Sequence, residues 1–167
     1  MDTLRWLHLS DVHFSDGESY EIKRMRDSII DKMKEVFEKN KVDFVVLSGD
    51  LAYQGGGYDA NLKKFIESLV DVSGVSIDEL FIVPGNHDLK RTQMRSVLLN
   101  GMRTEQFKFE KETIEQLQKD FKKYMTFYNK VKGENSNYIY RLVKKEKYNI
   151  FLMNTAFTAG TDEDDGK

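Results

Sequence analysis

Cysteine is absent from the 167 residues. That excludes disulfide frameworks, thiolate zinc sites, iron–sulfur clusters and cysteine nucleophiles, and leaves only nitrogen and oxygen donors for any metal. Long apolar runs are missing as well. The longest, Phe44–Leu47, Leu80–Val83 and Ile150–Met153, have four residues each, against the roughly 18 that a membrane-spanning helix needs. No basic segment followed by an apolar stretch of roughly 7–15 residues opens the chain, so no signal peptide is expected. A cytoplasmic protein without membrane contact is the expectation. Charge of one sign is also lacking: 28 acidic against 26 basic side chains give a net charge of -2. This balance offers no electrostatic footprint for nucleic acid or anionic lipid, so a nucleic-acid partner is possible without support from net charge. Proline occurs once, at Pro84, and histidine three times, at His8, His13 and His87. Charged residues make up 32% and hydrophobic residues 40%, which predicts a core, though a thin one.

What is present alternates between strand and helix signals. Leu4–Ser10 reads as a first strand, ending in a polar turn that carries Asp11 and His13. Ile22, Met25, Ile29, Met33, Val36 and Phe37 recur at spacings of three or four and predict a helix over 20–39 with one apolar stripe. Asp43–Leu47 is a short continuous apolar run of the kind that a strand buried on both faces produces. It stops at Ser48-Gly49-Asp50. After the glycines at 55–57 a second amphipathic helix carries Leu62, Phe65, Ile66 and Leu69 and breaks near Gly74. The next strand, Glu79–Val83, ends at Pro84-Gly85-Asn86-His87-Asp88, where proline removes an amide donor and glycine permits a sharp turn. A helical segment is expected at about 92–132, with one long helix over 104–130 whose row Ile114, Leu117, Phe121, Tyr124 and Tyr128 reads as core. Tyr138–Val143 and Tyr148–Asn154 flank a polar turn and predict an antiparallel hairpin. The acidic end, 160–167, is expected to be mobile.

Strand, helix, strand, helix, strand predicts an α/β fold with right-handed crossovers, a largely parallel sheet and helices on its faces. Ligands of such sheets bind beyond the carboxyl ends of the strands, which is where Asp11, His13, Asp50, Asn86, His87 and Asp88 fall. Asp11 and His13, one residue apart, would project to the same side of an extended segment and grip one ion. One crossover returns the chain to the same sheet edge for Asp50, and another for Asn86. Oxygen and imidazole donors together suit manganese, iron, zinc or nickel. Asp11-x-His13 alone is a weak signal and Gly49-Asp50 alone an ordinary turn, whereas a turn explains Gly85 and Asn86 but does not call for His87; the three motifs ending three successive strands form a specific combination.

These residues resemble the calcineurin-like metallophosphoesterases. Asp11-Val12-His13, Gly49-Asp50 and Gly85-Asn86-His87-Asp88 are similar to the family's first three signature blocks, in order, with similar flanks at Leu7-His8-Leu9-Ser10 and Val83-Pro84. The resemblance implies a β-sandwich of two mixed sheets flanked by helices. It implies two divalent metal ions, with Asp11 and His13 on the first, Asp50 bridging and Asn86 on the second. It also implies that His87, oriented by Asp88, contacts the phosphate or protonates the leaving oxygen. Imidazole suits that role because its ordinary pKa of about 6.5 lets it donate a proton near neutral pH. The implied activity is hydrolysis of a phosphate ester, more specifically a diester, by metal-activated hydroxide.

Two later family blocks, a strand histidine and Gly-His-x-His, do not occur in these residues. The expectation is therefore that residues 1–167 are the N-terminal part of a single catalytic domain. The second sheet is then incomplete, downstream polypeptide completes the site, and this portion alone is inactive or weakly active. The rival reading is a metallophosphoesterase-like scaffold or interaction module without catalysis. His8, on the first strand, is expected to be a core or hydrogen-bonded histidine. The glycines at 55–57 lack the lysine and hydroxyl residue of a phosphate-binding loop and read as a flexible rim.

Overall fold

The computed structural model describes residues 3–15, 17–137 and 139–160. Three parallel strands, β1 (Trp6–Leu9), β2 (Phe44–Ser48) and β3 (Leu80–Val83), form a sheet in the order β1-β2-β3. Trp6 stands opposite Phe44, and Val45 opposite Leu80. Side chains alternate across such strands, and here the alternation divides two cores. Val45, Leu47, Leu80 and Ile82 face the helices, whereas Phe44 and Phe81 face Leu152 of a hairpin, β4 (Tyr140–Lys144) and β5 (Asn149–Met153). The hairpin is antiparallel, with Leu142 opposite Phe151. This corrects one expectation: among the described residues, helices cover one face of the parallel sheet and the hairpin covers the other. The result is a mixed α/β fold with the beginnings of a two-sheet sandwich.

The helices on the first face are α1 (Tyr20–Phe37), α2 (Ala60–Ser73), α3 (Gln93–Arg103), α4 (Lys111–Gln118) and α5 (Lys122–Lys132). Ser19 caps α1 by accepting from Ile22 N, and Asp59 caps α2 by accepting from the amides of Asn61 and Leu62, satisfying donors that the helix itself leaves open. Leu62, Phe65, Ile66 and Leu69 are all buried, as their spacing predicts. On α1 the expected stripe is displaced, because Ile22, Met25 and Val36 are exposed. The inward row is Arg26, Ile30 and Met33, and its first member is a buried guanidinium that an apolar pattern cannot register.

The single long helix expected over 104–130 is not formed. Thr104 turns its hydroxyl back onto the carbonyls of Asn100 and Gly101, and Glu105 takes a left-handed φ of 58°. Gly101 leaves room for the Phe107 ring, which lies where a Cβ would otherwise be. Helix resumes at Lys111 and passes through a 3-10 turn at Lys119–Phe121 into α5. The predicted row survives the interruption: Leu117, Phe121, Tyr124 and Tyr128 are buried. Arg95 of α3, almost without exposed surface, ties this region together. Its guanidinium donates to Asp120 Oδ2 at 3.2 Å and to the carbonyls of Phe157 and Ala159 at 2.5 and 2.6 Å.

No helix among the described residues is long and apolar enough to cross a membrane. Tyr138, the expected first residue of the hairpin, and the acidic residues 161–167 lie outside the described residues.

Candidate metal centre

The three strands end side by side, and their loops continue to pair where the strands stop. Asp11 N donates to Gly49 O at 3.2 Å, His13 N to Asp50 O at 2.9 Å and Phe14 N to Leu51 O at 2.8 Å. On the other side Gly49 N donates to Val83 O at 2.9 Å, and His87 N donates to Asp50 Oδ1 at 2.8 Å. Asp50 thus sits between the first and third loops, 9% exposed. Gly85 makes this approach possible, because a Cβ there would overlap Asp50 Oδ1 and its backbone nitrogen.

One donor atom from each of Asp11, His13 and Asp50 lies within 4.8 Å of the others. The segment that carries Asp11 and His13 is not extended, as the one-residue spacing suggested. Asp11, His13 and Asp50 have φ of 58°, 45° and 53°, a region that costs a non-glycine residue about 1–3 kcal/mol and persists only where the surroundings enforce it. His13 Nε2 lies 3.7 Å from Asp11 Oδ1. Neither Asp11 nor Asp50 is paired with lysine or arginine among the described residues. The His13 and His87 rings meet edge to face with centroids 5.0 Å apart, and Nδ1 of each is buried without a hydrogen-bond partner among the described residues. Two carboxylates without a lysine or arginine partner among the described residues, beside two imidazole Nδ1 atoms without a hydrogen bond there, fit a divalent cation of the oxygen- and nitrogen-preferring class. Asn86 is half-buried in the turn between Gly85 and His87.

Comparison of the sequence with known families gives the same direction. The sequence profile of the calcineurin-like phosphoesterases matches residues 4–163. The chain belongs to that family. YydB of Bacillus subtilis (strain 168), described as an uncharacterized metallophosphoesterase-like protein, is 27% identical over 174 residues, covering 98% of this chain and 35% of that protein. The chain therefore spans about a third of the length of this curated relative.

In this member of the calcineurin-like phosphoesterases, Asp88 does not contact the His87 ring, and the expected orienting hydrogen bond is not formed. The Asp88 carboxylate is 1% exposed and turned inward. Oδ2 accepts from Gly85 N at 2.9 Å and Leu51 N at 3.2 Å, while Oδ1 accepts from Ala52 N at 2.9 Å and the Tyr58 hydroxyl at 2.6 Å. Burial pushes the Asp88 carboxyl up from its ordinary range, against the pull of the Gly85 amide, the Tyr58 hydroxyl and the Ala52 and Leu51 amides. Burial, with the Asp88 charge beside it, raises the Tyr58 phenol well above its ordinary value. Asp88 fastens the second loop to the third from inside.

Besides His13 at its edge, the His87 ring has Tyr53 stacked on its face at 5.2 Å with planes 17° apart. The place of Tyr53 three residues after Asp50 is the only trace of this in the sequence. The glycines at 55–57 are not a loose rim. Gly55 N donates to His87 O at 2.8 Å, and a Cβ on Gly57, whose φ is 69°, would overlap the carbonyl oxygen of Phe14. His8 is exposed rather than buried, with Nε2 hydrogen-bonded to the Ser48 hydroxyl.

Proposed function

We propose that this chain is the N-terminal part of the catalytic domain of a metal-dependent phosphoesterase acting on phosphate diesters. In this reading Asp11 and His13 hold one divalent ion, Asp50 bridges to a second and Asn86 binds that second ion. The downstream polypeptide supplies the remaining ligands. The observation that carries it is the convergence of Asp11, His13 and Asp50 from two strand ends onto one point within 4.8 Å, with the His87 ring at its edge.

When bound, two such ions lower the pKa of a water toward neutrality and offset the charge of a phosphate undergoing in-line displacement. The chain's own residues do the rest. Asp50 is fixed between the first and third loops by its carbonyl and its Oδ1. Asn86 adds a neutral oxygen, which limits the negative charge facing an anionic substrate. His87, held by Tyr53 on one ring face and reached at Nδ1 by no acceptor among the described residues, delivers a proton to the departing oxygen. Asp88 acts through the backbone of the loops rather than on this imidazole.

The test is hydrolysis of bis(p-nitrophenyl) phosphate by the intact protein with added manganese, alongside His13→Ala and Asp50→Asn. Each variant is expected to lose about 100-fold or more of the rate. Unchanged rates in both, or no hydrolysis by the parent together with no manganese binding, would refute the reading. Manganese binding without hydrolysis of any mono- or diester would favour the scaffold.

A further inference from the structure

We propose that Arg26, held in place by Glu18, is a positioning residue that sets the metal affinity of the Asp11-Val12-His13 loop. This rests on the reading that Asp11 and His13 bind metal. Arg26 lies on α1, 13 residues beyond His13 in sequence, and belongs to none of the motifs that mark the site. Its side chain is 7% exposed and that of Glu18 5%, a rare placement for charged groups unless they are paired.

The pair is bound on every side. Arg26 Nη1 donates to Glu18 Oε2, and Nη2 donates to Val12 O at 2.8 Å and His13 O at 3.3 Å. The guanidinium carbon stands 3.5 Å above the centroid of the Phe14 ring. Glu18 uses its other oxygen, Oε1, to accept from Ser15 N at 2.8 Å. The first loop is therefore gripped along both edges. The amides of Asp11, His13 and Phe14 pair with the second loop, and the carbonyls of Val12 and His13 are taken by Arg26.

Those carbonyls adjoin the two residues with left-handed backbone, Asp11 and His13. Such conformations hold only when their surroundings over-determine them; the second loop takes the amides of Asp11 and His13 and, further on, the Phe14 carbonyl, and leaves the carbonyls of Val12 and His13 to Arg26. Without the guanidinium, the Val12 and His13 carbonyls lose their donor, and the peptide planes that aim both ligand side chains are free to rotate. A planar fork of donors can serve Glu18 and two carbonyls at once, whereas an ammonium group cannot reproduce that geometry.

The experiment titrates the intact, metal-free protein with manganese alone, read by calorimetry and electron paramagnetic resonance, with folding checked by circular dichroism. His13→Ala identifies the affected site by its loss. Outer residues that orient metal ligands typically change affinity by about 10–100-fold. Arg26→Met is expected to weaken manganese at that site by about 10-fold or more with the helical signal retained, and Arg26→Lys to recover part of it. A variant that melts earlier but binds manganese within about twofold of the parent would give Arg26 a purely structural role and overturn the proposal. If Arg26→Met fails to fold, Glu18→Gln decides by the same criterion: weaker manganese supports the proposal and parental affinity overturns it. A parent that binds no manganese would overturn the metal reading itself, and this inference with it.

Discussion

Replacing Asp88 separates two roles that its sequence position confounds. A carboxylate beside a proton-donating histidine suggests a partner for the imidazole, but in the structure Asp88 accepts from three backbone amides and one phenol and makes no hydrogen bond to the imidazole. Truncation in Asp88→Ala would leave the amides of Leu51, Ala52 and Gly85 buried without an acceptor. At about 1–3 kcal/mol for each orphaned donor, the loss is at least about 3 kcal/mol. In Asp88→Asn the carboxamide can meet Tyr58 with its nitrogen, because a hydroxyl can also accept, and only Ala52 N is then stranded. That variant should cost about 1–3 kcal/mol. For a chain of this size each kcal/mol lowers the melting temperature by roughly 2–4 °C. Scanning calorimetry in chelator should therefore place Asp88→Asn roughly 2–12 °C below the parent and Asp88→Ala lower still. The reasoning fails if Asp88→Ala melts with the parent while the pH profile of phosphodiester hydrolysis shifts, since that result belongs to a residue acting on His87.

Two further substitutions probe the same joint. Tyr58→Phe removes a phenol whose ionisation is displaced well above its ordinary range, so the unfolded chain ionises first as pH rises. The stability this provides is present in full below about pH 10 and is lost above it, by at most about 1.36 kcal/mol per pH unit. In urea melts Tyr58→Phe should be about 1 kcal/mol weaker at pH 7 through its lost hydrogen bond, and that deficit should shrink above pH 10; a constant deficit refutes the assignment. Gly57→Ala should cost more than Gly133→Ala, although their φ values of 69° and 66° are nearly equal, because only the former places its methyl against a backbone carbonyl. Equal melting temperatures for the two would mean that the glycine loop is not packed against the first loop.

Much of the fold is legible in the sequence because short apolar runs bounded by turn residues leave little choice. Asp43–Leu47 and Glu79–Val83 read as strands, and the structure forms them over Phe44–Ser48 and Leu80–Val83. The metal-ligand candidates were visible for a related reason: polar residues that end such runs have to gather at one sheet edge. What escaped was written in interactions rather than in periodicity. Nothing in the apolar spacing of α1 announces that Arg26 turns inward, since a guanidinium scores as surface until its carbonyl partners are known. The break after Arg103 depends on a threonine hydroxyl folding back onto the helix and on Phe107 resting over Gly101, contacts that a helical repeat cannot encode. The partners of Asp88 likewise include Leu51 and Ala52, more than thirty residues away in sequence.

The positive φ angles at Asp11, His13 and Asp50 act as a filter on which amino acids each position admits, apart from any bond to a cation. Asparagine and glycine enter that backbone region with little penalty, whereas valine, isoleucine and threonine do not. A saturation library selected only for expression and folding would thus return Asn and Gly at these positions and lose the β-branched residues, even with the medium stripped of divalent ions.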